Sequence, residues 1–222
     1  MTGWLGLVGG GEWSPACTVN EMIVEHAAGR PIVVLPTAAA YEMPDQMLAI
    51  AATCLRGLGA TVTPCRALTK SDAHDEHHVA AVRAASVVYF TSGSAMHVRT
   101  MLKGTPLWDA VLTAWRSGTA LIGSGGGAMA FADPMIDPRG GAYTLGLGVI
   151  EGIAVLTEAD QWTEERRRRV MRMADANTVV AMISTGAALL HTSEGWSRHG
   201  TLELSRSGAA IAIDELAAPS VL

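Results

Sequence analysis

The stretch Ala120-Leu121-Ile122-Gly123-Ser124-Gly125-Gly126-Gly127-Ala128-Met129 runs an apolar strand straight into three consecutive glycines and a helix start built of small residues. A strand–turn–helix corner of this kind holds its central residue in a strained backbone conformation and lifts it above the sheet. Main-chain N–H groups at the start of the following helix then face whatever occupies the corner, which suits a developing oxyanion or a bound carboxylate. Here the corner falls within Gly125-Gly126-Gly127, none of which carries a side chain. Ser124 is the nearest hydroxyl. Adjacent residues of a strand point to opposite faces, so Ser124 reads as a backbone-bonding neighbour unless the strand slips by one residue.

Other chemistry-bearing residues are scattered. Glu12 follows Gly9-Gly10-Gly11 and falls in a loop after the first apolar run. It is a candidate for the ligand-binding edge of a parallel sheet, or for bonding the amides of a neighbouring turn. His74-Asp75-Glu76-His77-His78 spaces two histidines four apart, as a metal-binding helix face does. The same segment also reads as a helix start with Ser71 or Asp72 as cap and acids in the first turn, and no third ligand accompanies it. No metal or cofactor is expected. Cys17, Cys54 and Cys65 are odd in number and lack C-x-x-C spacing, so neither a disulfide framework nor a zinc knuckle is implied. Cys17, close behind a glycine turn, reads as a small buried hydrophobe rather than a reactive thiol.

The elements that must position these residues alternate in type. Strands are expected at residues 4–8, 31–35, 60–65, 86–91 and 119–123, with helices at 20–28, 43–58, 75–85 and 107–117. Continuous apolar runs such as Val87-Val88-Tyr89-Phe90 predict strands buried on both faces, and the β/α alternation predicts a mostly parallel, doubly wound sheet. Strands at 153–157 and 178–184 flank an arginine-rich helix, and short antiparallel strands are expected at 187–191, 200–204 and 209–213. Residues 1–222 read as one domain, with no linker or repeat. At 49% apolar and 17% charged residues, the chain can bury a large core and is not disordered.

A net charge of −5 argues against nucleic acid or an anionic membrane as partner. Arg166 to Arg169 follow Glu164 and Glu165 and read as a solvated helix face. Met1-Thr2-Gly3-Trp4-Leu5 lacks a basic start and a cleavage site, and no apolar run has the length of a membrane helix, so a cytoplasmic protein is expected.

Several motifs in order resemble the dipeptidase E and cyanophycinase family of serine peptidases, which has a class I glutamine amidotransferase-like fold. These are Gly9-Gly10-Gly11-Glu12, Val33-Val34-Leu35-Pro36-Thr37-Ala38, Val88-Tyr89-Phe90-Thr91-Ser92-Gly93, Gly104-Thr105-Pro106-Leu107, Gly146-Leu147-Gly148-Val149, and Asp160-Gln161 followed by Arg166, Arg168 and Arg169. The resemblance implies a three-layer α/β sandwich. It aligns the family's elbow serine with Gly125, its histidine after Asp-Gln with Trp162, and its later acidic residue with Ser184. In the oxyanion loop, Gly93 is kept, while Ser92 and Ser94 replace a glycine and an Asp or Asn. An indole is a donor only and cannot serve as a base near neutral pH.

Two classes of function follow. The first is a non-catalytic relative that binds a small carboxylate or peptide-like ligand, or a protein partner, with Glu12, Ser92, Gly93, Ser94, Ser124, Gly125, Gly126 and Trp162 as candidate contacts. The second is a peptidase, amide hydrolase or lyase with relocated residues around Ser124, drawing on Ser94, His97 or Glu12. Edge strands near the C-terminus together with the arginine-rich helix would permit a homodimer.

Overall fold

A computed structural model describes residues 2–219. Five parallel strands form the centre of the main sheet: β1 (Leu5–Val8), β2 (Ile32–Leu35), β3 (Val62–Pro64), β4 (Val87–Phe90) and β5 (Ala120–Ser124). Helices intervene, all but the fourth where the sequence predicts them: α1 (Val19–Ala27), α2 (Pro44–Gly57), α3 (Glu76–Ala84), α4 (Ala95–Leu102), α5 (Pro106–Arg116) and α6 (Gly126–Phe131). Four two-residue strands follow, β6 (Ala132–Asp133), β7 (Met135–Ile136), β8 (Tyr143–Thr144) and β9 (Ile150–Glu151). Then come β10 (Ile153–Thr157), α7 (Glu164–Met173), β11 (Val179–Ile183), β12 (Ala188–Thr192), β13 (Gly195–His199), β14 (Leu202–Arg206) and β15 (Ala209–Ala210).

The main sheet has seven strands in the order β13-β12-β1-β5-β4-β2-β3, with β12 antiparallel to both its neighbours. Alternate residues of its strands feed two apolar layers. Leu5, Leu7, Val33, Leu35, Val88, Phe90 and Leu121 pack on one side with Val79, Val98, Val111 and Phe131. Ile32, Val34, Tyr89 and Ile122 pack on the other with Ile23, Ala27, Ala51 and Leu55 of α1 and α2. Burial on both faces is why these strands are continuously apolar.

The C-terminal third departs from the expected layout in one respect. The strands expected at 153–157 and 178–184 do form, but they leave the main sheet. β10 and β11 pair in parallel, and β14 and β15 continue a separate four-stranded sheet. β13 and α4 are additions to the expected elements. The strand expected at 200–204 begins at Leu202, and the one at 209–213 is only the two-residue β15. No helix among the described residues is long and apolar enough to cross a membrane.

The register of the centre decides what meets at its carboxyl edge. Val8 pairs with Ser124, and Gly123 pairs with Phe90. Three adjacent strands therefore end side by side, and the loops after β1, β5 and β4 converge there. Open α/β sheets bind ligands at this edge.

Candidate functional site: a serine in the place of the elbow side chain

The corner after β5 has the expected strained backbone. Gly125 lies at φ 51°, ψ −120° and opens α6. That region is costly for any residue with a Cβ, and glycine removes the cost. Packing around it is equally restrictive. A Cβ placed on Gly125 would lie 2.6 Å from Ser92 Oγ and 2.9 Å from Ser92 Cβ. The side chain of Ser92, from the loop after β4, takes the room in which an elbow side chain would begin.

Glu12 fixes Ser92 there. The Ser92 hydroxyl donates to Glu12 Oε2 at 2.6 Å and the Ser92 N–H donates to Oε1 at 2.8 Å. Ser124 Oγ donates to the same Oε2 at 2.9 Å and lies 3.1 Å from Ser92 Oγ. Glu12 is 2% exposed and Ser124 is fully buried. The main chain of Glu12 is held in turn, because Asn20 Nδ2 donates to its carbonyl and Tyr89 Oη donates to Asn20 Oδ1 at 3.2 Å. Burial pushes the Tyr89 hydroxyl pKa well above its ordinary value, and the charge of Glu12 adds to that.

The glycine turn before Glu12 lies between the two sheets. Glu158 N–H donates to Gly9 O and Gly186 N–H donates to Gly10 O. Gly9 has no room for a side chain, since a Cβ there would meet Ser184 O at 2.1 Å. Ser184 thus meets this turn through its main chain. Asp160 lies near that strand end, its Oδ1 accepting from Thr185 N at 2.7 Å and Thr185 Oγ1 at 3.0 Å.

A cavity of about 220 Å³ opens over the corner, bordered by Ser92, Gly93, Gly126, Met129, Glu158 and Trp162, with Glu42, Thr157 and Pro138 on its rim. Of the residues named from the sequence, Ser92, Gly93, Gly126 and Trp162 border the cavity. Glu12 and Ser124 lie behind Ser92, and Gly125 forms the buried corner. Trp162 is clamped, with Arg166 Cζ 4.2 Å above its ring and Arg166 Nη2 donating to Pro138 O at 2.7 Å. Glu158 sits in the left-handed region at φ 51°, and its carboxyl pKa is raised by burial and by the charges of Glu12, Asp160 and Glu42. Nothing in the sequence singled out Glu42 or Glu158. A positive φ outside glycine is invisible in the residue type.

Ser94 and His97 face other tasks. Ser94 caps α4 by accepting His97 N–H at 3.2 Å, while His97 Nε2 lies 2.8 Å from Leu68 O. The histidine pair expected on one helix face does not form. His74 ends a 3-10 turn, its Nδ1 2.8 Å from Lys70 O, and α3 starts only at Glu76 with Asp75 as its cap. Capping by Asp75 displaces the expected Ser71 or Asp72. Among the described residues no three His, Cys, Asp or Glu side chains gather as a metal site would require. Cys17 is buried as expected, and burial pushes its thiol pKa up to about 12. Two larger concavities, of about 500 and 520 Å³, lie between α7 and β14–β15 and contain none of the glycine-turn residues.

The family model of Peptidase family S51 matches residues 6–196, from the first strand to β13. The chain belongs to Peptidase family S51. Among solved structures, the S51 chain is similar to a peptidase from an acI-B1 Actinobacterium, with 24% identity, a TM-score of 0.82, and coverage of 96% of this chain and 97% of that one. It is also similar to a putative Peptidase E protein from Listeria monocytogenes EGD-e, at 16% identity and a TM-score of 0.64, covering 93% and 99%. Both likenesses concern the fold, and the resemblance to the dipeptidase E family holds. No curated protein matches the sequence significantly.

Proposed function

We propose that this S51 member has lost the elbow peptidase reaction and uses the cavity over the elbow to bind a small peptide-like ligand. One observation carries the reading: the space for an elbow side chain at Gly125 is filled by Ser92, 2.6 Å from where that side chain's Cβ would stand. The loss is therefore built into the packing, beyond the absence of a single hydroxyl. Trp162, at the position the family gives to its histidine, offers no base.

The cavity walls favour a peptide-like ligand over a bare carboxylate. Gly93 and Gly126 offer main chain to a carbonyl or carboxylate, and the first N–H groups of a helix lack intrahelical acceptors. Glu42 and Glu158 add two carboxyl groups to the lining, which suits an ammonium group and disfavours a second anion. Trp162 supplies an apolar wall. A relocated peptidase centred on Ser124 finds less support, because Ser124 is fully buried behind Ser92 and outside the cavity.

The test is a thermal-shift screen with amino acids and dipeptides, with product release followed by chromatography. A ligand at about a hundred times its Kd adds about 2.7 kcal/mol, or about 5–10 °C in a chain of this size at about 2–4 °C per kcal/mol. Trp162→Ala should reduce the shift. Rapid dipeptide cleavage, or inertness to every ligand with a protein partner captured instead, would overturn the proposal.

A further inference from the structure

We propose that Ser92 and Glu12 form an acyl-accepting pair, independent of the elbow, that reacts with small activated esters. The inference rests on the cavity admitting small ligands, as above, and goes beyond binding. Three observations meet at these residues. Ser92 borders the cavity while its hydroxyl donates to Glu12 Oε2 at 2.6 Å, the geometry of a nucleophile beside its base. Ser92 Oγ also stands 2.6 Å from the position of an elbow Cβ, close to where an elbow side chain would begin. Finally, Glu12 is a carboxylate 2% exposed that takes part in no salt bridge of the described residues. A buried carboxylate without a cation is expensive, and its donors here are the two serine hydroxyls and one amide.

The chemistry selects the substrate class. Ser92 Oγ attacks the ester carbonyl carbon and its proton passes to Glu12 Oε2. The tetrahedral oxyanion collapses, the C–O bond to the leaving group breaks, and a phenolate departs with the bonding pair. The acyl group stays on Ser92, and the proton stays on Glu12 Oε2, buried behind it. A phenolate leaves without being protonated. An amine leaving an amide must receive a proton as the bond breaks, and Glu12, which holds the proton taken from Ser92, is buried and does not line the cavity where the amine would leave. Hydrolysis of the acyl-serine needs a base to activate water, and neither the protonated Glu12 nor the indole of Trp162 is one. The acyl group therefore accumulates.

The full-length chain is treated with p-nitrophenyl acetate and, separately, with a fluorophosphonate. In the latter a Ser92 Oγ–P bond forms and fluoride leaves. The expected result is a p-nitrophenolate burst of one equivalent and a single acetyl or phosphonyl adduct. Fragmentation of the tryptic peptide 84–99 should place it on Ser92 rather than Ser86 or Ser94. Ser92→Ala should lose the burst and the adduct, and Glu12→Gln should slow labelling by at least about tenfold, in line with the loss of a general base. Where Glu12→Gln does not fold, Ser92→Cys replaces it and should be alkylated by iodoacetamide faster than Cys17 or Cys65. An adduct on another residue, or undiminished labelling of Ser92→Ala, overturns the proposal. A chain that shifts with dipeptides yet takes no adduct also overturns it and leaves the binding reading standing. Inertness to both overturns both.

Discussion

Restoring a serine at the elbow tests the central packing claim. Gly125→Ser introduces a side chain at φ 51°, ψ −120°, a region that costs about 1–3 kcal/mol for a residue with a Cβ. The new Cβ also meets Ser92 Oγ at 2.6 Å and Ser92 Cβ at 2.9 Å, and overpacking of this sort costs about 1–3 kcal/mol more. The single variant should lose about 2–6 kcal/mol. Ser92→Gly alone removes the hydroxyl hydrogen bond to Glu12 Oε2, worth about 1.5–3 kcal/mol for a charged acceptor, and keeps the main-chain N–H bond to Oε1. Combined, the second change empties the space that the first one needs. The double variant should be more stable than the sum of the singles predicts, by about 1–3 kcal/mol. Urea unfolding of the four proteins in parallel, at matched m-values, measures this coupling. Additivity within about 0.5 kcal/mol would refute the claim that Ser92 fills the elbow space. The double variant should still not cleave dipeptides, since Trp162 provides no base.

Three further outcomes are expected. The Glu158 carboxyl is held above its usual range, so its contribution to stability is full below the unfolded pKa and lost as pH rises through the raised folded value. Glu158→Gln should accordingly raise the melting temperature at pH 7 by under about 1 kcal/mol equivalent, because the group is partly solvated, and the gain should vanish towards about pH 4. Cys17 and Cys65, both with pKa pushed up to about 12 by burial, should be silent to a thiol reagent in the native chain, so that only the half-buried Cys54 titrates before unfolding. Asn20→Ala strands the Glu12 carbonyl and the Tyr89 hydroxyl and should cost about 1–3 kcal/mol in chemical denaturation, with part recovered by Tyr89→Phe.

The parallel core was legible because burial on both faces writes itself as unbroken apolar runs, as in Val87–Phe90, closed by turn residues. α4 and β13 were not. Ala95–Leu102 mixes His97, Arg99 and Thr100 into a single short helix, and Gly195–His199 is largely polar on a sheet edge. β10 and β11 were readable as strands, but their pairing away from the main sheet is a tertiary choice that no local period records. The site divides similarly. Glu12, Ser92, Ser124 and Gly125 could each be named from motif order. That a serine 80 positions from Glu12 bonds it and enters the space of a third residue depends on where three strand ends come to rest.

The main-chain bonds of the Gly9–Gly11 turn bear on how a ligand could enter. Its carbonyls accept the amides of Glu158 and Gly186, so Glu158, which borders the cavity, is tied to the end of β1. Hydrogen exchange at those two amides should follow global unfolding and change little when ligand is added. The opposite wall hangs on less. Pro138 is joined to Trp162 through one arginine that stacks on the indole and donates one bond to a carbonyl, and residues 138–140 lie in a turn outside both main sheets. We predict that a ligand enters on the Trp162–Pro138 side. Arg166→Ala should speed ligand association and dissociation together, a kinetic signature that stopped-flow quenching of tryptophan fluorescence can read.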